Sequence, residues 1–373
     1  MTAEPPRPIA VLFGTRPEAI KLAPVIRALQ ERDARPLVIS TGQHRELVED
    51  ILGVFEVEVD EDLDLMRPEQ TLDYVLSTAL TGIGEAIDRH GPAVMVVQGD
   101  TTSALAASLA AFHRHMPLAH VEAGLRSRRL DLPFPEELNR RVTSLIARWH
   151  FAPTDRAAEN LRREEVEGEI VVTGNTVVDA LQHIVATRPE IPQRVAAFVE
   201  DRPFVLATAH RRESWGGGIA SIAQALSDVL AAEAQMRLVF VTHPNPVARG
   251  PVEEILGSQP RALVLDALDY PAFVELLRRA TVVVSDSGGV QEEGPTLGVP
   301  VLVTRAVTER PEGVEAGAVR VVGMDPTTVR DATLELLRSP AKRDAMANAG
   351  RHVYGDGQSA HRIAAVLLRD AAC

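Results

Sequence analysis

A chain of 373 residues is long for one hydrophobic core and comfortable for two domains. Its 45% hydrophobic content and lack of low-complexity tracts fit a soluble globular protein. The formal charge of −13 argues against nucleic acid or an anionic membrane as partner, but not against an anionic small molecule in a locally basic cleft. Cys373 is the only cysteine, so an intramolecular disulfide is impossible, and nothing suggests an oxidising compartment.

Met1 to Pro8 is polar and Pro-rich, and the apolar run behind it is too short for a signal peptide or membrane span, which reads as cytoplasmic. Ile9 to Phe13 form a short buried strand, followed by Gly14-Thr-Arg-Pro-Glu-Ala-Ile-Lys21. Pro17 suits the first position of a helix that continues through Leu29, which puts Arg16 and Lys21 near its start. The turn has one glycine where a dinucleotide fingerprint needs three, which removes the easiest route to an NAD-dependent mechanism. Lysine recurs only at Lys342, all other cations being arginine, so a compact ammonium at Lys21 stands out.

The strand–turn–helix pattern then repeats. Leu37 to Thr41 ends in Gly42-Gln43-His44-Arg45. Ala93 to Val97 ends in Gln98-Gly-Asp-Thr-Thr102, with an Ala-rich helix from Ser103 to Phe112. Leu118 to Val121 ends in Glu122-Ala-Gly-Leu-Arg126. Such alternation predicts a parallel sheet whose ligands bind beyond the strands' C-terminal ends, so Arg16, His44, Asp100 and Glu122 point toward one crevice. In Asp131-Leu-Pro-Phe-Pro-Glu-Glu-Leu-Asn-Arg-Arg141 the prolines make a stiff loop, and Glu136 and Glu137 open a helix running to Ala147. Glu136 and Arg140 are four apart and share a helix face; a surface ion pair and a catalytic role both stay open.

Ile170 to Thr173 is a strand, Gly174-Asn-Thr176 caps a helix, and the Pro- and Arg-rich stretch from Thr187 to Arg202 reads as the crossing between domains. The second half starts over: Phe204 to Thr208 ends in His210, Leu238 to Thr242 in His243, Leu263 to Leu265 in Asp266, with a helix from Tyr270 to Arg279. Thr281 to Val284 is β-branched throughout, as a doubly buried strand should be. Ser285 to Gly289 then form a polar turn, and a helix follows from Val290 to Leu297. Glycines allow close backbone approach and a helix start favours an anion, so the turn reads as a diphosphate cradle. Of Glu292 and Glu293, one could accept hydrogen bonds from ribose hydroxyls. Pro300 to Val303 leads to Thr308-Glu-Arg-Pro-Glu312, and Tyr354-Gly-Asp-Gly-Gln358 precedes a last helix. The expected fold class is α/β: two doubly wound Rossmann-like domains facing a cleft, without an obvious internal repeat. No H-x-x-x-H spacing occurs and there is one cysteine, so no metal site is expected.

Gly14 to Lys21, Gln98 to Thr102, His120-Val-Glu-Ala-Gly-Leu-Arg126 and Pro133-Phe-Pro-Glu-Glu137 together resemble the non-hydrolysing UDP-N-acetylglucosamine 2-epimerases. In the second half His210-Arg-Arg-Glu-Ser214, Asp286-Ser-Gly-Gly-Val-Gln-Glu-Glu293, Thr308 to Glu312 and Tyr354 to Gln358 agree, in order and nearly end to end. The resemblance implies a GT-B-type architecture. Its N-terminal domain would span 1–180 and carry the acid/base carboxylates, a UDP-binding domain 181–355, and a final helix, 356–373, would cross back. It also implies a homodimer that interconverts UDP-GlcNAc and UDP-ManNAc with no NAD or other cofactor. Carried over by position, it implies substrate binding by Arg16, Lys21, Arg140, His210, Ser287, Gly288, Gly289, Glu293 and Arg310. Asp100, Glu122 and Glu136 fall at the sugar as acid/base candidates, with His210 near the diphosphate and Phe273 near the uracil. Leu268 replaces a neighbouring family glutamine. Gln43 and His44 match part of a second, activating UDP-GlcNAc site, although Glu46 stands where such members carry glutamine.

The chemistry suits these residue types. The hydrogen on C2 of the sugar is not acidic, but expelling UDP from C1 builds positive charge next door and acidifies it. Elimination then gives 2-acetamidoglucal and UDP; reprotonation from the opposite face and return of UDP give the epimer. Such a site needs carboxylates for proton transfer and cations for the leaving diphosphate. Three rivals share parts of this pattern. A hydrolysing relative would release ManNAc, a GT-B glycosyltransferase would need an acceptor, and a sensor would bind UDP-GlcNAc unchanged.

Overall fold

The computed structural model describes residues 7–42, 45–65, 67, 70–209, 211, 214, 215, 217–243 and 245–371. The chain forms two compact units: residues 1–182 together with 354–373, and residues 183–353.

In the first unit the strands are β1 (Ile9–Phe13), β2 (Leu37–Ser40), β3 (Glu61–Asp62), β4 (Val94–Gln98), β5 (Leu118–Val121), β6 (Trp149–Ala152) and β7 (Glu169–Val172). They pair in parallel in the order β3-β2-β1-β4-β5-β6-β7. The connecting helices are α1 (Arg16–Gln30), α2 (Arg45–Phe55), α3 (Leu72–His90), α4 (Thr102–Phe112), α5 (Glu136–Ile146), α6 (Asp155–Arg163) and α7 (Thr176–Thr187). Every residue of β1 and β4 is buried, as the unbroken apolar runs require of strands covered on both faces. One core lies between Ala10, Leu12, Met95 and Val97 of the sheet and Ile83, Ile87, Ala104 and Ala107 of α3 and α4. The strands β3 and β6 are additions to the sequence expectation. Two acidic residues at a sheet edge give no pattern for β3. Tryptophan and histidine interrupt the aliphatic run that would announce β6.

The second unit repeats the plan. Helix α8 (Gln193–Val199) precedes β8 (Phe204–Ala209); α9 (Gly218–Ala232), β9 (Arg237–Thr242), α10 (Pro246–Leu256) and β10 (Ala262–Leu265) follow. Next come α11 (Tyr270–Arg279), β11 (Val282–Ser285), α12 (Val290–Thr296), β12 (Val301–Val303), α13 (Pro311–Glu315), β13 (Val319–Val321), α14 (Pro326–Arg338) and α15 (Pro340–Gly350). The parallel order β10-β9-β8-β11-β12-β13 is the first unit's order again, without its seventh strand. The expected crossing stretch, 187–202, is not a bare linker: α8 lies in it and buries Val195 and Val199 in the second unit's core. The short β13 had no sequence signal, since Arg320 interrupts three residues.

The chain re-enters the first unit at Tyr354, and α16 (Ser359–Ala371) packs on α1. Ala360, Ile363, Ala364 and Leu367 recur at helical spacing and are all buried. Asp179 of α7 caps this helix by accepting the Ala360 N–H at 2.9 Å, and the Tyr354 carbonyl accepts the Asn175 N–H at 2.7 Å. Gly357 takes φ +79°, a left-handed conformation that favours glycine, and lies against the side chain of Gln182.

Candidate functional site

In both sheets the strand order reverses once, at β1/β4 and at β8/β11. The C-terminal ends of such a strand pair are where open α/β sheets bind ligands.

At the first switch point Thr15 precedes α1, and Glu18 in the first turn reaches back to it. Its Oε2 accepts the N–H groups of Gly14 (3.0 Å) and Thr15 (2.7 Å) and the Thr15 hydroxyl (2.8 Å). Its Oε1 accepts the hydroxyl of Thr101 at 2.6 Å. Burial raises the pKa of Glu18, and the four hydrogen bonds pull it part of the way back. Beside it Arg16 is half-buried, and its guanidinium makes no hydrogen bond or ion pair among the described residues.

The turn after β4 is held from several sides. The Gly99 carbonyl accepts Nε2 of His120 at 2.7 Å, and the Asp100 carbonyl accepts Nδ2 of Asn139 at 2.9 Å. Oδ2 of Asp100 is ion-paired to Arg140, whose Nε lies 3.1 Å away. His120 is fully buried, and desolvation holds its pKa down to about 3, so the ring is neutral and Nε2–H is the donor. At the end of β5, Glu122 takes φ +63°, an unusual conformation for a side chain of this kind, and is ion-paired to the buried Lys21. Gly124 at φ +91° admits no side chain, because a Cβ would lie 2.2 Å from the Ala157 carbonyl oxygen.

The two glutamates that open α5 part company here. Glu137 is fully buried and accepts the N–H groups of Ser127 (3.0 Å) and Arg128 (3.2 Å), Nη1 of Arg140 (2.9 Å) and Nε of Arg141 (3.1 Å). It is the anchor of the loop and of Arg140. Glu136 is half-buried, and Arg140 spans Glu137 and Asp100. The sequence spacing singled out the cation, Arg140, but gave no sign that Glu137 anchors it.

In the second unit Ser285 at the end of β11 shares a hydrogen bond with Thr208 (2.6 Å) and accepts the Ser287 N–H (2.9 Å). Buried Asp286 accepts the Arg211 N–H (3.0 Å) and the Ser214 hydroxyl (2.9 Å), which ties the β8 loop to the β11 loop. No acceptor among the described residues meets the N–H groups of Gly288 and Gly289. Gly289 has helical φ −61°, so left-handed backbone does not explain this pair. Space explains Gly288, where a Cβ would lie 2.9 Å from Nη1 of Arg310 and 3.3 Å from Nη2 of Arg211; at Gly289 the nearest atom would stand at 3.4 Å. Because α12 has only seven residues, the anion-binding potential rests on these free amides and on the arginines more than on a helix dipole.

Arg310 is fixed by Glu292 (2.5 Å) and by Glu309 (2.7 Å), and Glu309 also meets Arg305 (2.8 Å) and Arg211 (3.7 Å). Burial alone would raise the Glu309 pKa; Arg310, Arg305 and Arg211 together override it and bring it down to about 2. Of the tandem glutamates, Glu292 orients Arg310, while Glu293 accepts the Tyr270 hydroxyl at 2.8 Å. Phe273 is half-buried at the edge of the core. Asp266 sits exposed on the surface, paired with Arg249. His210, Gln43 and His44 lie outside the described residues.

Sequence reading overlooked Glu18, Asp286 and Glu309 as site-builders. All three stood inside motifs named above, and the capping spacing Thr15-x-x-Glu18 was the one available signal. Among the described residues no group of three or more candidate metal ligands occurs, and no helix is long and apolar enough to cross a membrane.

Two parallel Rossmann-like α/β domains of GT-B type define the class of this protein. Residues 27–368 match the family model of UDP-N-acetylglucosamine 2-epimerase. A relative of that name from Yersinia pestis is 43% identical over 96% of this chain and 98% of its own. Another from Escherichia coli K12 is 42% identical over 96% and 98%. The crystal structure of UDP-GlcNAc 2-epimerase from Neisseria meningitidis bound to UDP-GlcNAc superposes with a TM-score of 0.90 at 38% identity, covering 97% of this chain and 99% of that one. The chain belongs to the UDP-N-acetylglucosamine 2-epimerase family.

Proposed function

We propose that this chain interconverts UDP-GlcNAc and UDP-ManNAc without hydrolysis, by eliminating UDP to 2-acetamidoglucal and adding it back. The observation that carries this reading is the pair Asp100 and Glu122. They stand at the ends of neighbouring strands, and each is fixed by a mostly buried cation, Arg140 or Lys21. Anchored carboxylates suit proton transfer at a carbon, where the acid and the base must keep their faces.

In this reading a carboxylate among Asp100, Glu122 and Glu136 removes the C2 proton while the C1–O bond breaks and its electron pair leaves with UDP. Another returns a proton to the opposite face of C2, and the β-phosphate oxygen re-forms the bond to C1. Arg16, unpaired among the described residues, and the amides of Gly288 and Gly289 with Ser287 and Arg310 are the anion-binding groups of their respective units, to which the resemblance assigns the leaving diphosphate. Glu293 takes the ribose and Phe273 the uracil. His210 keeps the place near the diphosphate that the resemblance gives it, and Gln43 and His44 a share in an activating site. The 1–180, 181–355 and 356–373 division of labour, the homodimer and the cytoplasmic location belong to the same reading.

The test is incubation of the pure protein with UDP-GlcNAc in D2O, with no added cofactor, followed by NMR. UDP-ManNAc carrying deuterium at C2 is expected. ManNAc and free UDP as sole products would instead mark a hydrolase, and retention of the original C2 hydrogen excludes the elimination.

A further inference from the structure

The first switch point is built from two turns on separate stretches of chain: Gly14-Thr15-Arg16 after β1 and Gly99-Asp100-Thr101 after β4. Among the described residues a single side-chain hydrogen bond joins them, from the Thr101 hydroxyl to Glu18. We propose that Glu18 is a positioning residue for the reaction, holding the turn that bears Asp100 in register with the turn that bears Arg16. This inference rests on the epimerase reading above and extends it to a residue that touches no substrate.

Three features support it. First, Glu18 is 1% exposed and has no ion-pair partner among the described residues, an expensive choice for a group needed only to fill space. Second, its oxygens divide the work. Oε2 gathers three donors from the Arg16 turn, and Oε1 takes one from the Asp100 turn, 83 residues away. Third, the Asp100 turn is already fixed on its other sides by His120, Asn139 and Arg140, all from β5 and α5. Glu18 supplies the remaining tie, toward the cation that meets the departing diphosphate. Breaking C1–O and C2–H together requires both groups to be placed at once, and a misplacement of about 1 Å costs on the order of 100-fold in rate.

The rival account is a local helix cap for α1, which would affect folding alone. A double-mutant cycle on the full chain separates them, with kcat and KM for UDP-GlcNAc, UDP affinity by calorimetry and Tm measured for each variant. Glu18→Ala is expected to lower kcat about 100-fold while UDP affinity changes far less. Glu18→Gln, whose amide oxygen still accepts the backbone N–H groups, should recover most of that loss. Thr101→Val should lower kcat roughly 10-fold and Thr101→Ser should restore it. The double variant should be no worse than Glu18→Ala, because one shared bond is lost only once. Losses that multiply, or a Glu18→Ala enzyme with lowered Tm and undiminished kcat, overturn the inference. Should Glu18→Ala not fold, undiminished kcat in Thr101→Val overturns it equally. A wild type without turnover removes the epimerase reading and this inference with it; turnover with multiplicative losses removes only this inference.

Discussion

Asp100, Glu122 and Glu136 are three carboxylates in three different settings, and sequence alone could name them but not their settings. Asp100 is tethered to an arginine and Glu122 to a lysine from an unusual backbone conformation, whereas Glu136 keeps a half-buried place beside fully buried Glu137. The adjacent glutamates 136 and 137 were indistinguishable in sequence because their difference is which side of α5 meets the loop. Replacing Asp100, Glu122 or Glu136 by its amide should lower kcat by about 100- to 10,000-fold and leave UDP affinity nearly intact, as calorimetry and initial rates will show. A change confined to UDP affinity would mark that residue as a ligand-gripping group instead. Gly288→Ala tests the proposed diphosphate cradle. Its methyl must displace Arg310 or Arg211, so UDP should bind about 10-fold or more weakly while Tm stays within a few degrees of wild type.

At the scale of elements, the strands that carry the candidate site were legible because they are the central ones. Buried on both faces, β1, β4, β8 and β11 read as unbroken aliphatic runs that end in polar turns. The strands that escaped, β3, β6 and β13, are at or near edges, are short, or carry charged and aromatic residues. Strand β5 has a hidden cost. His120 is neutral in the fold with a pKa of about 3, against an ordinary value of 6.5 when exposed. The unfolded chain therefore takes up this proton first. The stability tied to neutral His120 is complete above pH 6.5 and is lost as pH falls toward 3, on the order of 5 kcal/mol at most. Glu309 acts in the same direction below about pH 4.5. Urea unfolding between pH 7 and 4 should show stability falling with pH, and His120→Gln should flatten that slope if the variant folds. An unchanged slope would mean that other groups carry the acid response.

For the whole molecule, the two-domain α/β plan was legible because the same strand–turn–helix grammar occurs twice, and the identical 3-2-1-4-5-6 strand order explains why. Where one unit stops and the other starts was harder to read. Proline and arginine between residues 187 and 202 look like a linker, yet α8 makes that stretch part of the second unit. Composition reports flexibility poorly where a short helix needs only two buried valines to dock. The return of the chain at Tyr354 likewise depends on particular contacts: the Asp179 cap, the Asn175–Tyr354 bond and the close fit of Gly357 on Gln182. Ending the chain at Val353 removes α16, with its buried Ile363 and Leu367, from α1. Each is worth roughly 1.5–3 kcal/mol of burial, so the first unit should melt lower while the second keeps its own transition. Hydrogen exchange resolves the two; equal protection of β1 and β4 in the shortened and full chains would contradict the expectation.

A unit assembled from two separated stretches of chain also sets an order of events on the ribosome. The second unit is contiguous and can close as soon as it emerges. The strands bearing Asp100 and Glu122 all lie within residues 1–182, but α1 stays uncovered until residues 183–353 and then α16 have been translated, on the order of 10–40 s at ~5–20 residues per second. Throughout that interval the apolar flank of α1 stands open to chaperones and to neighbouring nascent chains, so the half that carries the proposed acid–base groups is completed last.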